Sequence, residues 1–145
     1  MQVWVIRLPE GSDARVVFSF GVNDTTIENG RPRIEPGTSA VNLTEMLATA
    51  AELGWPALVV APPPTADPAH NARTVELDES FAAICAATDT VYVRTHQTLA
   101  ADPTWMREVR NGDGAHPGVG GYTAFAELLQ STWLAWLQST DRTFS

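Results

Sequence analysis

Three short runs of β-forming residues, Val16-Val17-Phe18-Ser19-Phe20, Ala57-Leu58-Val59-Val60-Ala61 and Val91-Tyr92-Val93, are separated by stretches that repeat with helical period. Apolar continuity marks strands covered on both faces, and strands that alternate with helices are packed most simply as a parallel sheet with helices on either side. The expected fold class is therefore α/β, a three-layer α/β/α domain. Such sheets carry their chemistry at the carboxyl ends of the strands. Gly21 to Thr26, Pro62 to His70 and Thr95 to Thr98 then share one edge of the molecule.

The helical stretches have readable limits. Thr38 or Ser39 can cap a helix in which Leu43, Met46, Leu47 and Ala50 form one stripe and Gly54 supplies the stop. Leu77, Phe81, Ile84 and Cys85 make a second stripe, and Asp102-Pro103 opens a short third helix with proline at its first position. The last helix, from about Gly118 to Gln138, places Phe125, Leu128, Leu129, Trp133, Trp136 and Leu137 on one side, with both tryptophans read as core or interface anchors. Asn29 to Gly37 and Ala61 to Pro68, rich in proline and glycine, read as surface loops.

Size and composition narrow the function. The 145 residues suit a single domain, residues 1–145, with one core. Seventeen acidic against nine basic residues, a formal net charge of −8, leave no basic patch for phosphates, so nucleic acid is an unfavoured partner. The lone Cys85, set in Phe-Ala-Ala-Ile-Cys-Ala-Ala, excludes an intrachain disulfide and CxxC metal or redox patterns. Neither a signal-peptide start nor an 18-residue apolar run is present, so the sequence as written is read as cytoplasmic and without a membrane span.

Two constellations can carry chemistry. In Asp113-Gly114-Ala115-His116-Pro117-Gly118, a carboxylate three residues before a histidine can reach the imidazole Nδ1 and fix which nitrogen faces a substrate. The same spacing also suits an aspartate that caps a turn beside an exposed histidine. In Gly21-Val22-Asn23-Asp24, an asparagine at a strand's carboxyl end can donate its amide to a developing oxyanion while the glycine lets backbone approach the substrate. An Asx turn that simply ends the strand is the other reading.

Taken together, Gly-x-Asn-Asp after an early strand and Asp-x-x-His-Pro before the C-terminal helix resemble the third and fifth sequence blocks of the SGNH (GDSL-type) ester hydrolases. The Pro-Pro-Pro after the second strand and the Trp-Met-Arg-Glu-Val segment are also similar to small bacterial members. The resemblance implies a flavodoxin-like sheet, hydrolysis of a small carboxylic ester, and no metal or organic cofactor. It implies His116 as general base and later acid, Asp113 as its orienter, Asn23 with Gly21 in the oxyanion hole, and Asp24 as a brace through hydrogen bonds to neighbouring backbone.

The family's nucleophile, the serine of a Gly-Asp-Ser block, has no counterpart. Gly11-Ser12-Asp13 has the residue types in another order and lies before the strand, Ser19 should point into the packing, and Ser39 suits a helix cap. No nucleophile is therefore assigned. Two strand-plus-helix units, roughly 60 residues, would fill the gap, and the expectation is an N-terminally truncated domain with impaired catalysis. The alternative is a non-catalytic remnant that binds a small ligand or dimerises through the exposed sheet edge. Residues 2 to 8, an alternating strand or the tail of a truncated helix, are expected either to pair in the sheet or to mediate dimerisation. A metal site built from Asp24, Asp67, His70, His96, Asp113 and His116 lacks compact ligand spacing and is not assigned.

Overall fold

The computed structural model describes residues 8–139. Strand β1 (Val16–Ser19) pairs in parallel with β4 (Ala57–Val60), and β4 in parallel with β5 (Val91–Val93), in the order β1-β4-β5. Phe18 stands opposite Val59, and Val59 opposite Tyr92. A separate two-residue hairpin joins β2 (Ile27–Glu28) to β3 (Arg31–Pro32). The helices are α1 (Pro36–Glu52), α2 (Pro68–Ala87), α3 (His96–Ala101), α4 (Pro103–Asn111) and α5 (Val119–Ser139).

Alternation along the central strand builds the three layers. Val59 points into a cluster with Leu43 and Leu47 of α1 and Leu77, Phe81 and Cys85 of α2, against which Phe18 and Phe20 pack. Leu58 and Val60 point the other way, onto Val93 and Trp136, with Val17 and Leu128 alongside. A third cluster, Leu99, Trp105 and Val109, joins α3 and α4 to Phe125 of α5. The expected α/β/α architecture is the one observed. Cys85 is buried as expected, and desolvation pushes its thiol up to about 11, so it stays protonated at neutral pH. Trp136 is a core anchor, whereas Trp133 packs edge-on against it with ring centroids 5.6 Å apart and stays half-exposed.

Several local expectations are corrected. Helix α1 starts two residues before Thr38, at Pro36, and its N-cap Glu35 makes no side-chain cap bond. Proline's fixed φ and missing N–H suit the first turn without a polar cap. Ser39 is instead fully buried. The Ala61–Pro68 segment is not a surface loop over its first half: Ala61, Pro62, Pro64 and Thr65 are buried. Its carbonyls find partners inside, because Thr95 Oγ1 donates to Ala61 O at 3.1 Å and Trp105 Nε1 to Pro64 O at 3.0 Å. Prolines bring no N–H that would need one. Asn71 completes the segment, accepting from Thr65 N at 2.7 Å and donating to Thr65 O at 2.9 Å.

Ser19 is exposed, not packed inside. It shares the Val17 side of β1, but among the described residues no strand flanks the outer edge of β1 to cover it. That edge opens onto a groove of about 920 Å³ between β1 and α1, lined by Phe18, Phe20, Met46 and Trp55 among others. Residues 2 to 7 of the proposed edge segment lie outside the described residues. No described helix is long and apolar enough to cross a membrane.

Candidate active site

Both constellations fall at the carboxyl ends of the strands. After β1 the backbone turns at Gly21 with φ +122°. A Cβ there would lie 3.0 Å from Leu77 Cδ2 and 3.2 Å from Pro62 Cγ, so only glycine lets the chain pass this close to α2 and the proline segment. The turn closes through Thr25 N to Gly21 O at 3.1 Å and Thr26 N to Asn23 O at 3.2 Å. Asn23 is exposed, and its side-chain amide makes no hydrogen bond among the described residues, so the turn does not depend on an Asx bond from it. Asp24 does not bond neighbouring backbone through its carboxylate. Its Oδ2 accepts from the buried Ser39 hydroxyl of α1 at 2.7 Å, while its carbonyl accepts from Ile34 N at 3.0 Å.

The second constellation is a turn closed by its own aspartate. Asp113 Oδ1 accepts from Ala115 N at 2.9 Å and His116 N at 2.8 Å, and Oδ2 lies 2.7 Å from His116 Nδ1. The two backbone donors, then the imidazole, hold the Asp113 carboxyl well below the usual carboxylate range. A carboxylate at Nδ1 requires hydrogen on that nitrogen and leaves Nε2 as the basic atom. Both side chains are exposed. One carboxylate thus closes the turn with one oxygen and contacts the imidazole with the other.

The turn is fixed on both sides. Gly114 (φ +89°) donates to Val109 O at 2.9 Å and accepts from Ala66 N at 2.8 Å, which ties the Asp113–His116 turn to the segment after β4. Beyond it, Glu108 Oε2 accepts from Gly121 N at 2.7 Å, and Cβ atoms at Gly120 or Gly121 would collide with Glu108 and Thr104 or with Pro117. Nothing in the spacing of Glu108 announced this role.

Gly21, Asn23 and Asp24 line a cleft of about 300 Å³ with Ser19, Pro62 and Pro63. Asp113, Gly114 and Ala115 line a neighbouring one of about 400 Å³ with Thr26, Thr65, Asp67 and His70. The two groups therefore line separate clefts along the Pro62–Asp67 segment, and His116 lines neither of them. His96 opens α3 elsewhere, with Nδ1 buried and unpartnered, and burial lowers its pKa. Among the described residues no three His, Cys, Asp or Glu side chains come together as a metal site.

The model of the GDSL-like lipase/acylhydrolase family matches residues 2–124. This chain belongs to that family. Among solved structures, a lipase/acylhydrolase from Enterococcus faecalis is similar at a TM-score of 0.63 and 24% identity, over 79% of this chain and 58% of that one. A GDSL-like lipase from Bacteroides thetaiotaomicron matches at 0.62 and 19% identity, over 87% and 63%. An acetylxylan esterase from Geobacillus stearothermophilus, crystallised as a catalytic mutant, matches at 0.59 and 12% identity, over 78% and 56%. These likenesses support the fold. The chain spans less than two thirds of each of these three proteins. No curated protein matches it.

Proposed function

We propose that this chain is a carboxylic-ester hydrolase domain that carries the base and the oxyanion donor of its site without a serine placed to use them. The observation that carries the reading is the 2.7 Å contact between His116 Nδ1 and an Asp113 carboxylate whose other oxygen is held by two backbone N–H groups. In this reading Asp113 fixes the tautomer and stabilises the imidazolium, and His116 Nε2 takes a proton from the attacking hydroxyl and returns it to the leaving alcohol. Asn23 donates its uncommitted amide to the oxyanion, Gly21 gives the backbone its close approach, and Asp24, held by Ser39, braces the loop.

No described serine meets the demands of a nucleophile. Ser12 precedes β1, Ser39 is committed to Asp24, and Ser19 lines the Asn23 cleft without a base in hydrogen-bond contact. The sequence contains no Gly-Asp-Ser block. Turnover then rests on water activated by His116 and is slow, because nucleophile and base act as a unit. The test is hydrolysis of an activated short-chain ester together with fluorophosphonate labelling. Trace turnover that vanishes in His116→Ala, with no label, is expected; stoichiometric labelling at an ordinary esterase rate overturns the claim that no nucleophile is present.

The outer edge of β1, which no described strand flanks, favours a second reading, a domain that binds a small ligand or self-associates through that edge without turnover. A ligand-dependent rise in melting temperature that survives His116→Ala, with no hydrolysis, would select it.

A further inference from the structure

The loop that carries Asn23 is held by one face of α2. His70, Arg73 and Thr74, at i, i+3 and i+4, all reach it. Arg73 Nε donates to Thr25 O at 2.9 Å. His70 Nε2 lies 2.9 Å from Val22 O and 3.0 Å from Thr25 Oγ1. Thr25 and Thr74 are buried, with their hydroxyls 3.2 Å apart. Thr25 Oγ1 is also 3.0 Å from both Gly21 O and Val22 O, and Thr74 Oγ1 is 3.0 Å from His70 O.

Proton accounting assigns the donors. A carbonyl only accepts, so the contact with Val22 O requires hydrogen on His70 Nε2. Thr25 has one hydrogen for two carbonyls, and Thr74 can spend its own on His70 O. Thr26 Oγ1 also donates to Val22 O, at a longer 3.3 Å, so the histidine is the closest donor to that carbonyl and the one that ties it to α2. A trans peptide points its C=O and N–H in opposite directions. Fixing Val22 O toward α2 fixes the plane of the Val22–Asn23 peptide and with it the direction in which Asn23 leaves the backbone.

We propose that His70 is a positioning residue for Asn23: its Nε2–H, backed by Arg73 and the Thr25–Thr74 pair, sets the orientation in which Asn23 presents its amide to the cleft. The value of an oxyanion donor depends on its being in place before charge develops, and among the described residues the Asn23 side chain has no hydrogen bond to hold it. The inference rests on the oxyanion role proposed above for Asn23.

The test uses the full chain. Nitrogen NMR of the His70 ring is expected to report the Nε2–H tautomer, and His70→Leu is expected to speed hydrogen exchange at the Thr25 and Thr26 amides about tenfold, with the β4 amides unchanged. His70→Gln, which returns an N–H near the same point, is expected to restore most of that protection. An Nδ1–H tautomer, or unaltered exchange in a folded His70→Leu, overturns the assignment; if His70→Leu does not fold, the tautomer and His70→Gln decide. Ester hydrolysis separates this from the Asn23 reading. A fall in kcat at steady KM in both Asn23→Ala and His70→Leu, recovered in His70→Gln, supports positioning, and a fall in Asn23→Ala alone overturns it. If Asn23→Ala leaves kcat unmoved, it is the oxyanion reading that fails, and tautomer and exchange still decide how His70 holds the loop.

Discussion

His116 Nδ1 sits 2.7 Å from Asp113 Oδ2 while Asp113 Oδ1 takes the backbone N–H groups of Ala115 and His116, so one carboxylate both builds the turn and orients the imidazole it carries. Asp113→Asn separates the two duties. Its amide oxygen can still accept from the backbone, but its NH2 group facing Nδ1 favours the opposite tautomer. The fold should persist while whatever hydrolysis the chain performs falls by at least about 100-fold, within the range that mis-set tautomers cost. Steady-state rates beside a circular dichroism melt check both halves, and an unimpaired rate would remove Asp113 from the site.

The same residue predicts an acid limb of stability. Hydrogen bonds from the His116 and Ala115 backbone and from the imidazole hold the folded carboxyl well below its ordinary 3.8. A depressed folded pKa contributes stability that is present above the unfolded value and is lost as pH falls through the folded one. The parent protein should therefore lose stability below about pH 4 more steeply than Asp113→Asn. Urea midpoints measured between neutral pH and about pH 2 give the comparison, and parallel curves would count against the hydrogen-bonded carboxylate.

How far the sequence exposes this architecture depends on the kind of interaction. The strand runs, the helical stripes and the Asp102-Pro103 helix start are local patterns, and Asp102 does accept from Trp105 N at 2.8 Å. The Asp113–His116 pair is equally local. The hairpin at Asn29-Gly30, both with positive φ, falls inside the segment read only as a surface loop, although Asn-Gly is the dipeptide of a two-residue turn. What was not legible comes from distant side chains meeting. Ser39 looks like a cap and serves Asp24, Pro62 to Thr65 look like loop and are buried, and nothing near His70 in sequence points to Val22. Composition marks a proline-rich segment as surface only when its carbonyls have no partners inside, and here Thr95 and Trp105 provide them.

Trp105 is the clearest stability test of that buried segment. Its Nε1–H is the donor to Pro64 O, and its ring packs edge-on to Phe125 at 5.7 Å between centroids. Trp105→Phe keeps an aromatic ring but leaves the carbonyl without that donor, and should cost about 1–3 kcal/mol. Chemical denaturation measures it, and a neutral result would mean water replaces the indole.

Gly121 tests the far side of the His116 turn. A Cβ there would meet Pro117 Cβ at 2.4 Å, a contact with ring atoms that cannot swing aside. Gly121→Ala must push α5 away from Pro117 or break the Gly121 N to Glu108 Oε2 bond, at about 1–3 kcal/mol. The strain falls one residue from His116, so hydrolysis should drop along with the denaturation midpoint. A midpoint loss with an unchanged rate would separate the helix start from the site.

The outer edge of β1 gives the last prediction. Strand β1 pairs with β4 along one edge, and along the other no described strand takes up the backbone groups that point outward beside the groove of Met46 and Trp55. An edge that no described strand pairs, beside apolar walls, is a template for another strand, so the chain should sediment as a dimer or larger at concentrations where most single domains are monomeric. Val17→Lys serves poorly as a probe because Val17 also packs against the α5 side of the core. Ser19→Pro is cleaner: the exposed Ser19 lies at the carboxyl end of the strand and its hydroxyl makes no hydrogen bond among the described residues, while the proline ring blocks an incoming strand. A shift toward monomer in Ser19→Pro with the fold retained is expected. A wild-type chain that stays monomeric at high concentration would mean this edge is closed in some other way.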